Sequence, residues 1–351
     1  MRVSLVAWAL MVTLPSFGHA EDRSAMAYGR LKAAAATITS PHMRAQTLDA
    51  LSVDPCAYHR AHLSAHDKMF ILKQLRTAGF IPDPAFVSDA EAQMTGVFPK
   101  LTRDPSACPG LAQPFISAPG GNGGSHHDWP GGLVDHEDAN LRIGRDLAAT
   151  YEAQSGVPVD MDTLTAAIIW HDWGKALVLT WRGDGTLTPE YYIAGTGAHH
   201  ILGLAEAMAR GLPANMIIAQ ACAHTAPVGG DAQSVANWLK AAAIIARVDT
   251  VPLAADVPSR ECLISHAADD NWVHAEVAVQ LSDAVLARLA PRYGFDPQDQ
   301  RVYLTRFRHV VLTAIGADRL YGLWQTEGDD GVVRAINDLK LVAHTDDKPP
   351  S

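Results

Sequence analysis

The sequence is poor in cysteine and in basic residues, and each shortage excludes a class of site. Its 351 residues include four cysteines, with no CxxC pair, which argues against a cysteine-ligated zinc site. Lysine and arginine number 28 against 38 acidic residues, giving a formal net charge of −10. A chain this acidic lacks the positive surface that binds long nucleic acids. Small phosphates are not excluded, because bound metal ions would dominate the field around them.

Two further absences concern the fold. The sequence shows no strand–helix alternation, and no glycine-rich phosphate loop follows a predicted strand, which argues against nucleotide-binding α/β folds. Beyond the N-terminus, no stretch is apolar for long enough to span a bilayer. Apolar residues instead recur at helical spacing over most of the chain, so the sequence predicts an all-α fold.

Residues 1–20 are typical of a secretory signal. Arg2 precedes a mostly apolar run over residues 3–17, and small residues Gly18 and Ala20 stand before Glu21. The run is short and contains Pro15, so cleavage before Glu21 is favoured over an uncleaved anchor. We therefore expect a periplasmic or secreted protein with no membrane attachment after cleavage.

The cysteines fit an oxidising compartment. Cys56 and Cys108 both lie in loop-like segments of the N-terminal region and are predicted to pair. Cys222 lies in an apolar helical run and is predicted to be a buried free thiol.

The chain divides into a helical N-terminal region (21–117), a loop or linker (118–132), a helical domain (133–325) and a tail (326–351). Six glycines and two prolines within residues 118–132 cannot continue a helix. A turn at residues 182–185 indicates a small hairpin between residues 179 and 193. Helices are predicted over 26–38, 61–77, 133–153, 161–178, 198–210, 213–224, 234–251, 271–289 and 298–323.

The main chemical signal is the segment Trp170-His171-Asp172-Trp173-Gly174-Lys175 at the end of an apolar helix. Adjacent helical residues point about 100° apart, so His171 and Asp172 share an ion only near the edge between them, or if Asp172 bridges two ions. Four other apolar helices each carry one donor: His136, His199, His224 and Asp249. One shared ion site explains these inward-facing polar groups more simply than separate core pairs do.

The order H…HD…H…H…D, with Gly131-Gly132 before His136 and Gly174-Lys175 after the HD pair, resembles the HD superfamily of metal-dependent phosphohydrolases. Residues 126–136 and 191–203 are also similar to the HD domains of a bacterial 3′-to-5′ exoribonuclease class. The resemblance implies a first metal on His136, His171, Asp172 and Asp249, and a second on Asp172, His199 and His224. Gly203 lies four residues after His199 and favours His199 as the ligand. His200 is the alternative.

The resemblance implies two divalent ions, and imidazole with carboxylate suits Mn, Fe, Co, Ni or Zn. Asp172 would bridge the ions, and Lys175 would either meet a phosphate oxygen or be a helix-end lysine. His126 and His127 would either contact substrate or be exposed loop residues. We expect hydrolysis of a small phosphoester or nucleotide by a metal-activated water. The alternatives are a di-iron oxygenase and a non-catalytic, metal-stabilised ligand-binding module.

Overall fold

A computed structural model describes residues 23–103, 108–251 and 258–341. Helices dominate these residues, and the only strands found there, β1 (Tyr192–Ile193) and β2 (Thr196–Gly197), form one short antiparallel pair. The prediction of an all-α fold is therefore confirmed. Across the same residues, no helix has the length and apolar character needed to cross a membrane. The predicted signal, residues 1–20, lies outside the described residues.

The first half of the chain contributes the helices that build the main core. They are α1 (Arg23–Ala36), α2 (Pro41–Ala50), α3 (Ala65–Thr77), α4 (Val87–Val97), α5 (Gly132–Ser155), α6 (Met161–His171) and the single turn α7 (Lys175–Val178). The sequence prediction missed α2 and α4. Short helices such as these depend on tertiary packing more than on intrinsic propensity.

The second half continues with helices on both sides of an undescribed segment. They are α8 (Ala198–Ala209), α9 (Ala214–Ala221), α10 (Ala232–Ala246), α11 (Arg260–Asp269), α12 (Trp272–Leu289), α13 (Gln300–Tyr303), α14 (His309–Ile315) and α15 (Ala317–Asp338). A π-helical turn, Leu304–Arg308, separates α13 from α14, and Gly316 with a φ of 82° separates α14 from α15. The helix predicted over 298–323 is thus broken twice, and α15 continues past residue 326.

The N-terminal helices share one apolar core with the helices from α5 to α11. Two buried tryptophans of the segment from Trp170 to Lys175 (the HD segment) also form hydrogen bonds to α2. Trp170 donates its indole N–H to Thr47 Oγ1 at 3.2 Å, and Trp173 donates to the carbonyl oxygen of Ala50 at 3.1 Å. The last helices, with Trp129, form a second cluster. Because α1 and α2 pack against α6, they hold the HD segment from behind.

Disulfide bonds join all four cysteines. Cys56 bonds to Cys108, which confirms the predicted pair. Cys222 bonds to Cys262, so the prediction that Cys222 is free was wrong. Cys262 lies in the first turn of α11, a helix that the sequence pattern did not reveal, and its partner could be recognised only once α11 was placed beside α9.

Candidate metal centre

Donor side chains from five segments converge at one end of α6. His136 lies in the second turn of α5, and His171 ends α6 with Asp172 directly after it. His199 lies in the first turn of α8, His224 lies just beyond α9, and Asp269 is the last residue of α11. Three groups have ligand atoms that all lie within 4.8 Å of one another inside the group. The first set is His136, His171, Asp172 and Asp269, and the second set is Asp172, His199 and His224. The third group, His126, His127 and His136, contains no carboxylate.

Asp172 is the residue common to both sets, and its two oxygens face opposite ways. Oδ2 lies 3.0 Å from His136 Nε2 and 3.4 Å from His171 Nε2. Oδ1 lies 3.2 Å from His199 Nε2 and 3.3 Å from His224 Nε2. This placement suits a carboxylate that serves two neighbouring ions.

Glycine allows the segments to approach this closely. A Cβ on Gly174 would collide with the carbonyl oxygen of His199, and a Cβ on Gly132 would collide with that of His127. Gly131 has a φ of 83° at the start of α5, in the left-handed region that favours glycine. These glycines therefore allow α8 and the glycine-rich loop (residues 118–132) to approach the HD segment closely.

Asp269, and not Asp249, completes the first set. Its Oδ1 lies 3.1 Å from His136 Nε2 and 3.3 Å from His171 Nε2. Asp249 follows α10, is exposed, and lines a groove with Phe70 and Arg247. The structure therefore corrects the expected fourth ligand of the first metal from Asp249 to Asp269.

The sequence around Asp269 contains only a weak, local signal that a helix begins before it. Ser259 caps α11 by accepting the N–H of Cys262, and buried Ala268 precedes the acid. Such a start signal places a helix, but it does not show that the helix ends at a shared site.

The structure brings His199 and His224 together with Asp172 in the second set. His200, the alternative to His199, is fully buried behind them. Its ring stacks on His224 with centroids 4.2 Å apart and meets Trp238 edge-on. Burial and the neighbouring His224 hold the pKa of His200 well below its usual range, so His200 is a neutral packing residue.

Hydrogen bonds behind the histidines turn their Nε2 atoms toward the centre. His171 Nδ1 donates to the carbonyl oxygen of Ile168 at 2.7 Å, with Glu137 3.3 Å away. His199 Nδ1 donates to Glu190 Oε1 at 2.6 Å. Such outer bonds fix the tautomer and ring orientation of metal-binding histidines. The sequence reading missed Glu137 and Glu190, which carry no motif of their own.

Lys175 also lies in the centre, in contact with the bridging acid. It forms an ion pair with Asp172 and donates to the carbonyl oxygen of Gly120 at 2.5 Å. The lysine is buried, at 6% exposure. In this arrangement Lys175 holds Asp172 and connects it to the glycine-rich loop. Lys175 is therefore not a solvated lysine at a helix end.

The loop histidines pack on the first set. The rings of His126 and His127 have centroids 4.9 and 5.2 Å from that of His136. Burial, followed by the charge of His136, lowers the pKa of His126 to about 2 and that of His127 well below its usual range. His127 is buried, so it is not the exposed loop residue that was one of the two expectations.

The donor chemistry fits a metal ion. The Nε2 atoms of His136 and His171 lie 3.3 Å apart and aim at the same two carboxylates. Without a cation, protons must balance these acids. Burial opposes a charge on His199, but Glu190 and the bond to Asp172 outweigh it and raise the pKa of His199 to about 9. An ion bound to these nitrogens and oxygens would take the place of such protons.

Metal binding is therefore expected to release about one proton or more per molecule at about pH 7.5. With a pKa of about 9 in the metal-free protein, His199 carries a proton at that pH and must lose it to bind an ion. Metal affinity should consequently rise with pH until that pKa is passed. Calorimetric titration in two buffers with different ionisation enthalpies counts the protons. Uptake or no exchange of protons would contradict this charge state of His199.

The fold and the site together define an all-α protein with a buried His/Asp cluster that offers ligands for metal ions, consistent with an HD-type metal site. No family model and no solved structure matches the chain. Over 83 residues it is 36% identical to the 3′-5′ exoribonuclease YhaM of Shouchella clausii (strain KSM-K16). This match covers 24% of the chain and 24% of that relative. The distant similarity and the cluster suggest a metal-dependent hydrolase.

Proposed function

We propose that the protein is a metal-dependent phosphohydrolase that acts on a small phosphoester or nucleotide. The observation that carries the proposal is Asp172, whose two oxygens face the donors of two adjacent sets, His136 with His171 on one side and His199 with His224 on the other. Paired divalent ions on such a site lower the pKa of a bound water and stabilise charge on a phosphoryl group.

The residues of the chain would orient and shield this chemistry. Asp172 is 1% exposed, whereas the side chains of His224 and Asp269 are 19% and 10% exposed. The side chain of His199 is also 10% exposed. The centre therefore opens to solvent at the ends of α9 and α11 and at the start of α8, where a substrate phosphate would enter. Glu190 and the Ile168 carbonyl keep Nε2 of His199 and His171 directed at the centre, and Lys175 keeps Asp172 in place.

A neighbouring cavity supports a small substrate. A cavity of about 540 Å³ is lined by Glu190, Trp181, His309 and the glycine-rich loop, and this volume is in the range of small-molecule sites. It shares Glu190 with the metal centre. Its cation Arg308 is already paired with Asp128 at 2.8 Å and with Asp283, so the cavity offers little free positive charge for a polyanion.

Net charge separates the proposed substrate from that of the exoribonuclease relative. Long RNA is held by many contacts to its phosphates along a basic surface, and this chain has a formal net charge of −10. In a chain of this charge, the bound ions would contact only the reacting phosphate and its near neighbours. The similarity to the relative covers 24% of each chain, so its activity on RNA is no more than a further candidate.

Purified protein is expected to hydrolyse mononucleotides or bis(p-nitrophenyl) phosphate, to lose this activity to a chelator and to regain it with Mn, Co or Ni. The same preparation should be tested on labelled long RNA and analysed for metals. Processive RNA degradation with small esters untouched would overturn the proposed substrate class. Bound iron with oxygen consumption and no ester turnover would favour the di-iron oxygenase, and bound metal with no reaction would favour the ligand-binding module.

We also propose that the protein is exported, with residues 1–20 removed. Two disulfides among the described residues suit an oxidising compartment. N-terminal sequencing of protein recovered from the periplasm or medium should begin at Glu21. Recovery of the chain in the cytoplasm with Met1 intact would contradict export.

A further inference from the structure

The Cys222–Cys262 disulfide joins the two segments that carry His224 and Asp269, one donor from each set of the metal centre. Cys222 caps the C-terminal end of α9, and His224 follows two residues later in a bend. Cys262 lies in the first turn of α11, and Asp269 ends the same helix seven residues later. The Cα atoms of the two cysteines are 5.2 Å apart, and both residues are fully buried.

A hydrogen bond strengthens the same junction. His266, one turn before Asp269 in α11, contacts the carbonyl oxygen of Ala223 through Nδ1 at 3.0 Å. Ala223 lies between Cys222 and His224. The backbone that leads into His224 is therefore held to α11 by a covalent bond on one side and a hydrogen bond on the other.

These two ligands differ from the others in how the chain holds them. His136 and His199 lie within α5 and α8, and His171 ends a helix whose residues from Thr163 onward are all buried. His224 lies outside any helix, and Asp269 belongs to a helix of ten residues. Nε2 of His224 and Oδ2 of Asp269 lie 4.0 Å apart, so a small shift between α9 and α11 would separate them.

We propose that the Cys222–Cys262 disulfide positions His224 and Asp269 and thereby sets the affinity of the centre for metal ions. One of these ligands belongs to each set of donors, so a displacement of α11 relative to α9 weakens both sets at once. The inference rests on the metal centre of the proposed function, but it concerns metal loading and does not require a particular substrate.

The Cys56–Cys108 disulfide provides a matched control. It closes a loop of comparable separation, 52 residues against 40, but it joins segments of the N-terminal region that carry none of the metal-centre donors named above. Loss of either bond removes a constraint on the unfolded chain and lowers thermal stability. Only loss of Cys222–Cys262 is expected to change metal loading.

The test is a Co²⁺ titration of the full chain, followed by visible absorption, for the wild type, Cys222→Ala/Cys262→Ala and Cys56→Ala/Cys108→Ala. The first double variant should need about tenfold or more Co²⁺ for half-maximal loading, the range seen when outer-shell support is lost. The control should load within about twofold of the wild type. Ester turnover of the first variant should recover at saturating metal, which separates a positioning defect from general unfolding.

Equal loading curves for the two double variants would overturn the inference while leaving the metal centre intact. If Cys222→Ala/Cys262→Ala does not fold, Cys222→Ala/Cys262→Val, which keeps more of the buried volume, takes its place under the same criterion. A folded wild-type protein that binds no Co²⁺ would instead contradict the metal centre itself, and with it the proposed function.

Discussion

Replacing Asp172 by alanine is expected to remove both metal ions and to lower turnover by about a hundredfold or more. Its Oδ2 faces His136 and His171, and its Oδ1 faces His199 and His224. No other described carboxylate belongs to both sets of donors. Metal analysis of the purified variant, together with ester turnover, measures the effect.

His224→Ala is the companion to this variant. His224 contributes to the second set alone, so one ion should be lost while the other stays. Removing Asp172 also takes one acidic partner from Lys175 and from four imidazoles, and breaking a buried pair costs about 3–5 kcal/mol. Circular dichroism must therefore show a folded protein, and Asp172→Asn provides a variant of the same shape. A folded Asp172→Ala protein with its full metal complement would show that the assignment is wrong.

Asp269→Asn is expected to lose the first ion and to lower turnover about tenfold to a hundredfold, whereas Asp249→Asn should stay within about twofold of the wild type. The two substitutions make the same chemical change in acids that lie 20 residues apart. Asp269 Oδ1 lies 3.1 Å from His136 Nε2 and accepts a hydrogen bond from Asn140 at 3.1 Å. Asp249 is exposed in a groove beside Phe70.

The metal content and turnover of these two variants show which acid binds the first metal. The order of motifs implied Asp249, whereas the structure places Asp269 there. Loss of metal in Asp249→Asn, with Asp269→Asn unaffected, would restore the ligand that the resemblance implied. Both variants preserve the shape of the side chain, but only Asp269 is buried, so circular dichroism must show that Asp269→Asn is folded.

A di-iron oxygenase or a metal-stabilised ligand-binding module would use the same donors as a phosphohydrolase. The centre is buried on the side of α5 and α6 and opens at His199, His224 and Asp269. This opening is compatible with a phosphate or with a small neutral molecule. Identification of the bound metal and the product is therefore the measurement with the greatest weight.

The sequence by itself determined the features that depend on residues close together in the chain. Helical periodicity indicated the all-α class. The contiguous segment from His171 to Lys175 indicated the centre, because other apolar helices were also predicted to carry one His or Asp donor each. The structure brings His136, His199 and His224 to that segment.

Only the tertiary structure decided which distant groups meet there. Asp249 and Asp269 are both acids near helix ends, and the choice depends on how α11 packs against α5, α6 and α9. The partner of Cys222 and the carboxylate behind His199 depend on the same kind of packing. Local pattern carries no information on these pairings, because each is set by the burial of apolar faces that are far apart in sequence.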